Sequence, residues 1–167
     1  MTKKLIKFGF FVFVFFSAFG IVNADERIAN ENVISDASIS LELAFFDASS
    51  STGILNIMVD PGSQSANASG LVLNFATSTI QINSILTGNS FCSFFLENNF
   101  DNSTGKLSLS GMKPYPGIAT SSLMGQIFFE KISTSSSDII INQDESMVLA
   151  NNGYATNVLA TSSSLKL

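Results

Sequence analysis

The sequence predicts an all-β protein: about nine strands in two antiparallel sheets, packed face to face around one core. Three observations carry that prediction. Apolar residues alternate with polar ones in 38-SISLELAFF-46 and 53-GILNIMVD-60, and a period of two puts each set on one face of a strand. Such stretches recur at close intervals, separated by Gly, Ser, Asn and Asp, which favour turns. No stretch repeats its apolar residues with clear helical spacing, and no internal repeat is visible. Two packed sheets are the economical way to bury so many one-sided strands. A closed barrel is the alternative.

Before the first strand comes a segment of another kind. Lys3, Lys4 and Lys7 precede the apolar run 8-FGFFVFVFFSAFGIV-22, and Val22 and Ala24 are small residues before a cut after 22-VNA-24. This is the layout of a secretory signal peptide over residues 1–24. The run is short of the roughly 20 residues that span a bilayer. An uncleaved anchor is the other reading. Three of the eight Lys and Arg lie in the leader and none of the thirteen acids does, so its removal makes an already acidic chain (formal charge −5) more acidic. That balance argues against a nucleic-acid partner, which wants clustered Lys and Arg. No second long apolar segment follows, so no membrane span is expected in the mature chain. Residues 25–36 are polar and read as a flexible arm.

The sandwich is expected over 37–161. In its first strand Ile39, Leu41, Leu43 and Phe45 alternate; in the second, Leu55, Ile57 and Val59; in 70-GLVLNF-75, Leu71, Leu73 and Phe75. The segment 79-TIQINSIL-86 places Ile80 and Ile82 inward, with Ile85 joining after a slip. Residues 91-FCSFFL-96 are apolar on both faces, which suits a strand in the middle of a sheet. Asp101 to Gly105 offers a turn, and Leu107 and Leu109 point inward on the next strand. Two prolines make 112-MKPYPG-117 a loop, since proline cannot donate to a ladder. Strands follow at 125-GQIFFEKI-132 and 138-DIII-141. Met147–Ala150 and Asn157–Ala160 flank an Asn-Gly step that tolerates positive φ. Residues 162–167 read as a tail.

The side chains hold little chemistry. Histidine is absent, so the usual base for a nucleophile is missing, and no motif sets Lys106, Lys113 or Lys131 beside a marked Ser. No catalytic residue is assigned. Zinc and copper sites want His and Cys; no metal or other cofactor is expected. Cys92 is the sole cysteine, which leaves no internal disulfide, and its Phe neighbours suggest a buried thiol. The stretch 101-DNSTG-105 is a fragment of a calcium loop, without the later ligands; a hairpin turn is the preferred reading. Asn67 and Asn102 head Asn-X-Ser/Thr patterns, common by chance. Tyr115, between two prolines, is the candidate for stacking on a sugar.

Three blocks carry a family resemblance: 59-VDPGSQSANASGLVLNFATSTI-80, 100-FDNSTGKLSLSGMKPYPG-117 and 147-MVLANNGYATNVL-159. In order and spacing they resemble bacterial cohesin domains, over about residues 38 to 160. The resemblance implies a nine-stranded jelly-roll sandwich in a secreted or cell-surface protein. It implies a non-catalytic role, binding a dockerin-type protein module that carries the calcium itself. It also implies that the partner meets an exposed sheet face made by the third, fifth, sixth and eighth strands. Matched to the blocks, and with Leu71, Leu73, Phe75, Leu107 and Leu109 inward, that face takes Gly70, Val72, Asn74, Lys106, Ser108 and Ser110. The chain departs from the family where Ala76-Thr77 replaces an Asp/Asn-Pro step, and where 89-NSFCSFFLENN-99 lacks a Trp. A carbohydrate-binding module and a structural or adhesive surface subunit remain alternatives.

Overall fold

The computed structural model describes residues 33–167; the expected leader and most of the arm lie outside them. Eleven strands are present among these residues. They are β1 Ala37–Asp47, β2 Thr52–Asp60, β3 Ala66–Phe75, β4 Ile80–Leu86, β5 Phe94–Asp101, β6 Lys106–Met112, β7 Ser122–Lys131, β8 Asp138–Ile141, β9 Met147–Ala150, β10 Leu159–Ser163 and β11 Leu165–Lys166. The first sheet runs β10-β1-β2-β7-β4. The second runs β11-β8-β3-β6-β5, with β9 also on β3. All pairings are antiparallel except β1 with β10, which is parallel. The only helical element described is a 3-10 turn at Gln143–Glu145.

Alternation builds the core as the pattern requires. Ile39, Leu41, Leu55, Ile57, Val59, Ile127 and Phe129 from the first sheet meet Leu71, Leu73, Leu107, Leu109 and Val148 from the second, all buried. Each such side chain stabilises the fold by about 1.5–3 kcal/mol relative to exposure. The expected slip in β4 is present: the register shifts between Ile82 and Ser84, and Ile85 packs against the core. The β5–β6 turn closes on Gly105 at φ 73, where an added Cβ would fall 2.2 Å from the Phe75 carbonyl oxygen.

Three expectations are corrected. Leu43 and Phe45 are not inward with Ile39 and Leu41: a bulge in β1 and the end of the β10 pairing at Ser40 leave both exposed. Residues 91–96 are not a central strand. Phe91 and Cys92 plug the core from a loop, and β5, beginning at Phe94, is the edge of its sheet. A run apolar on both faces fits a buried strand or one with an exposed apolar face, and periodicity cannot separate these. Residues 162–167 are not a loose tail. They end β10 and form β11, and Leu167 exchanges backbone hydrogen bonds of 2.8 and 3.0 Å with Ser137. The chain does fold back beside β9 after Gly153: Asn157 bridges Leu149, the Ala150 N–H donates to the Thr156 carbonyl at 2.9 Å and the Val158 N–H to the Val148 carbonyl at 2.8 Å, before β10 crosses to the first sheet and lies along β1.

Asn102 joins the two sheets at their open side. Its carboxamide accepts from the Ile82 N–H at 2.9 Å and donates to the Ile82 carbonyl at 2.8 Å, standing in for a neighbouring strand on β4. Replacing Asn102 with alanine should lower stability by about 1–3 kcal/mol, because both half-buried backbone groups lose a partner. Urea denaturation checks this; a change within about 0.3 kcal/mol contradicts it. The same donor nitrogen is the atom a glycan would occupy.

Candidate functional site

The outer face of the second sheet is laid out by its registers. Asp101, Lys106, Asn74 and Ile140 form one row, and Asn99, Ser108 and Val72 the next. Glu97, Ser110, Gly70 and Met147 form the third, and Phe94, Met112, Ala68 and Leu149 the fourth. The sheet thus brings all six residues read from alternation, Gly70, Val72, Asn74, Lys106, Ser108 and Ser110, onto one surface. β8, β3, β6 and β5 lie side by side beneath it.

The six are not equally available. Asn74 and Lys106 are exposed, and Val72, Ser108 and Ser110 are half-buried. Gly70 is buried: a Cβ there would sit 3.4 Å from Met147 Cγ and 3.6 Å from Ser110 Cβ. Val72 is held from behind. Its N–H donates to Ser146 Oγ at 3.1 Å and its carbonyl accepts from the Asn142 N–H at 2.8 Å. The buried Ser146 thereby fills the gap on the edge of β3 between β8 and β9. Lys106 Nζ lies 2.8 Å from Glu145 Oε2, with both side chains about half exposed. An exposed pair of this kind contributes at most about 1 kcal/mol and lies at the rim.

Alternation missed the apolar part of this surface. Phe94 (59% exposed), Leu96 (76%), Met112, Ile140 and Met147 are exposed. Phe94, Met112, Ile140 and Met147 stand in the outward rows, and Leu96 is the extra residue of the β5 bulge. The signal was present in 91-FCSFFL-96, but its outward half reads like core. Large side chains that a solvated face has no reason to carry suit contact with a protein.

Other candidates resolve separately. Tyr115 is 86% exposed in the β6–β7 loop, away from the strand rows. That loop is tied to the β9–β10 turn by Asn151 Nδ2 donating to the Pro116 carbonyl at 3.0 Å. The fragment 101–105 is a hairpin turn. Asp101 Oδ1 accepts from Ser103 Oγ at 2.6 Å and the Ser103 N–H at 2.7 Å, with the Thr104 N–H more distant. The Ser103 hydroxyl first, then the Ser103 and Thr104 contacts, hold its carboxyl down at about 2. Burial pushes the Cys92 thiol up, so it is a poor nucleophile at neutral pH.

The Asp101 shift predicts a pH effect with a definite sign. A carboxyl depressed on folding stabilises above its unfolded pKa near 4, and that contribution disappears as pH falls through about 2. Ser103→Ala should return the Asp101 midpoint in a carbon-detected NMR titration toward about 4. A midpoint already near 4 in the unaltered chain contradicts the turn geometry.

No family model matches the sequence, and the comparison with curated proteins returns no match. Solved structures do match, at low identity. The third cohesin of ScaC from Acetivibrio cellulolyticus, in complex with the ScaB dockerin, superposes with a TM-score of 0.64 at 15% identity, covering 78% of this chain and 96% of that one. CaCohA2 from Clostridium acetobutylicum gives 0.63 at 13%, covering 80% and 90%. A non-cellulosomal cohesin from the archaeon Archaeoglobus fulgidus gives 0.61 at 10%, covering 78% and 88%. The class is therefore settled at the level of architecture: this chain has the fold of a cohesin module.

Proposed function

We propose that the protein is a secreted, non-catalytic binding module whose second sheet engages a dockerin-type protein module outside the cell. One observation carries this. The outer face of β8, β3, β6 and β5 combines exposed Phe94, Leu96, Met112, Ile140 and Met147 with the polar residues Asn74, Ser108 and Ser110. Polar side chains along the middle strands, flanked by exposed apolar side chains on β5, β8 and β9, offer a protein partner both hydrogen bonds and apolar surface to bury. The resemblance in sequence points to the same strands. Two solved neighbours, from Acetivibrio cellulolyticus and Clostridium acetobutylicum, are cohesins in complex with dockerins. The calcium of such a complex belongs to the partner. The test is capture of dockerin modules from the same genome by the purified protein, with calcium and with a chelator. Calcium-dependent binding of at least one supports the proposal; binding of none removes it.

A sugar-binding role has one observation in its favour, the exposure of Tyr115. Silence on a glycan array, or binding unchanged in Tyr115→Ala, excludes it.

A further inference from the structure

Each open sheet edge presents unpaired backbone groups that can recruit another strand, and proteins usually blunt them. Three edges here are blunted. The Asn102 carboxamide occupies β4 at Ile82. β5 carries four polar side chains among its eight residues, Glu97, Asn98, Asn99 and Asp101. β11 is two residues long and includes Lys166.

The remaining edge is different. β10 covers β1 only from Ala37 to Ser40, and among the described residues no strand pairs with that side of β1 from Leu41 to Asp47. The burial alternation stops where the cover ends, and Glu42 to Phe46 are all exposed. Leu43, Phe45 and Phe46 are 46%, 56% and 38% exposed. The segment is bulged between Leu43 and Phe45 and has Glu42 and Asp47 toward its ends, but 43-LAFF-46 is an unbroken apolar run, and neither Lys nor Pro interrupts 41–47.

We propose that this segment pairs with the same segment of a second copy, antiparallel about a two-fold axis at Ala44. That register sets Leu43 opposite Phe45, Glu42 opposite Phe46 and Leu41 opposite Asp47. No two like charges face each other directly, and the exposed apolar side chains of Leu43 and Phe45 meet on either side of the axis. The bulge of β1 falls at the axis, where Ala44 is the smallest side chain of the seven. The contact is a two-fold, closed one, which stops at the dimer. It leaves the outer face of the second sheet free.

The contact is small. Seven residues a side fall well below the roughly 20–30 of a standard interface, so the dimer is weak and concentration-dependent. Both copies are acidic, so salt, which screens their repulsion, strengthens it.

Sedimentation velocity on the purified protein, from about 10 µM to about 1 mM, tests this over the range a sub-standard interface implies. A monomer–dimer equilibrium is expected, tighter at high salt. Leu43→Lys and Phe45→Lys, both at exposed positions, should each weaken it at least tenfold, while Val72→Arg leaves it unchanged. Monomer throughout, or a dimer that persists in both Lys variants, overturns the proposal. So does a dimer lost in Val72→Arg alone, or one that salt weakens.

Discussion

Replacing Phe129 with alanine should lower stability by about 3–5 kcal/mol, the largest single loss we expect from the core. The ring is fully buried in the middle strand pair of the first sheet and stacks on Phe46, with centroids 6.2 Å apart and planes at 14°. Gly53 opposite makes room for it: a Cβ at Gly53 would fall 2.5 Å from the ring. The alanine variant thus leaves a ring-sized void beside a residue that has no side chain to fill it. Phe128, one residue earlier, points outward and is half-buried; its alanine variant should lose about 1 kcal/mol or less, on the scale of a partly exposed site. Urea denaturation of both variants measures the contrast. Equal losses would mean that the inward and outward faces of β7 are wrongly assigned.

The second large effect is on binding. Val72→Arg and Met147→Asp should each weaken partner binding about 30-fold or more, the cost of disturbing a central anchor. Stability should change by about 1 kcal/mol or less, since both side chains point away from the core. Calorimetric titration with a calcium-loaded dockerin module, beside thermal melts, separates the two readouts. Unchanged affinity in both variants would move the interface elsewhere. Lys106→Ala should matter less, because the exposed Lys106–Glu145 pair is at the rim.

The sandwich was legible because most strands follow the period of two: Leu55, Ile57 and Val59, or Leu71, Leu73 and Phe75, fall on one face as alternation demands. It was illegible where a neighbour decides the outcome. Leu43 and Phe45 look like core in the sequence, and the β1 bulge together with the early end of β10 leaves them exposed. Leu165 and Leu167 look like an end, and only β8 makes them part of a sheet. The candidate face shows the same division. Val72, Asn74, Ser108 and Ser110 follow from the inward set by elimination. Phe94, Leu96 and Met147 do not, because an apolar residue that waits for a partner has the same composition as one that is buried. Gly70 was placed on the right face, but Met147 covers it.

Side-chain methyl NMR of the purified protein during titration with a calcium-loaded dockerin module tests the central claim most directly. The account predicts that the methyl signals of Val72, Met112, Ile140 and Met147 shift or broaden together and saturate at one equivalent. The methyls of Ile54 and Met58, on the outer face of the opposite sheet, should stay in place. Shifts confined to Ile54 and Met58, or no shift with any such module, would contradict it.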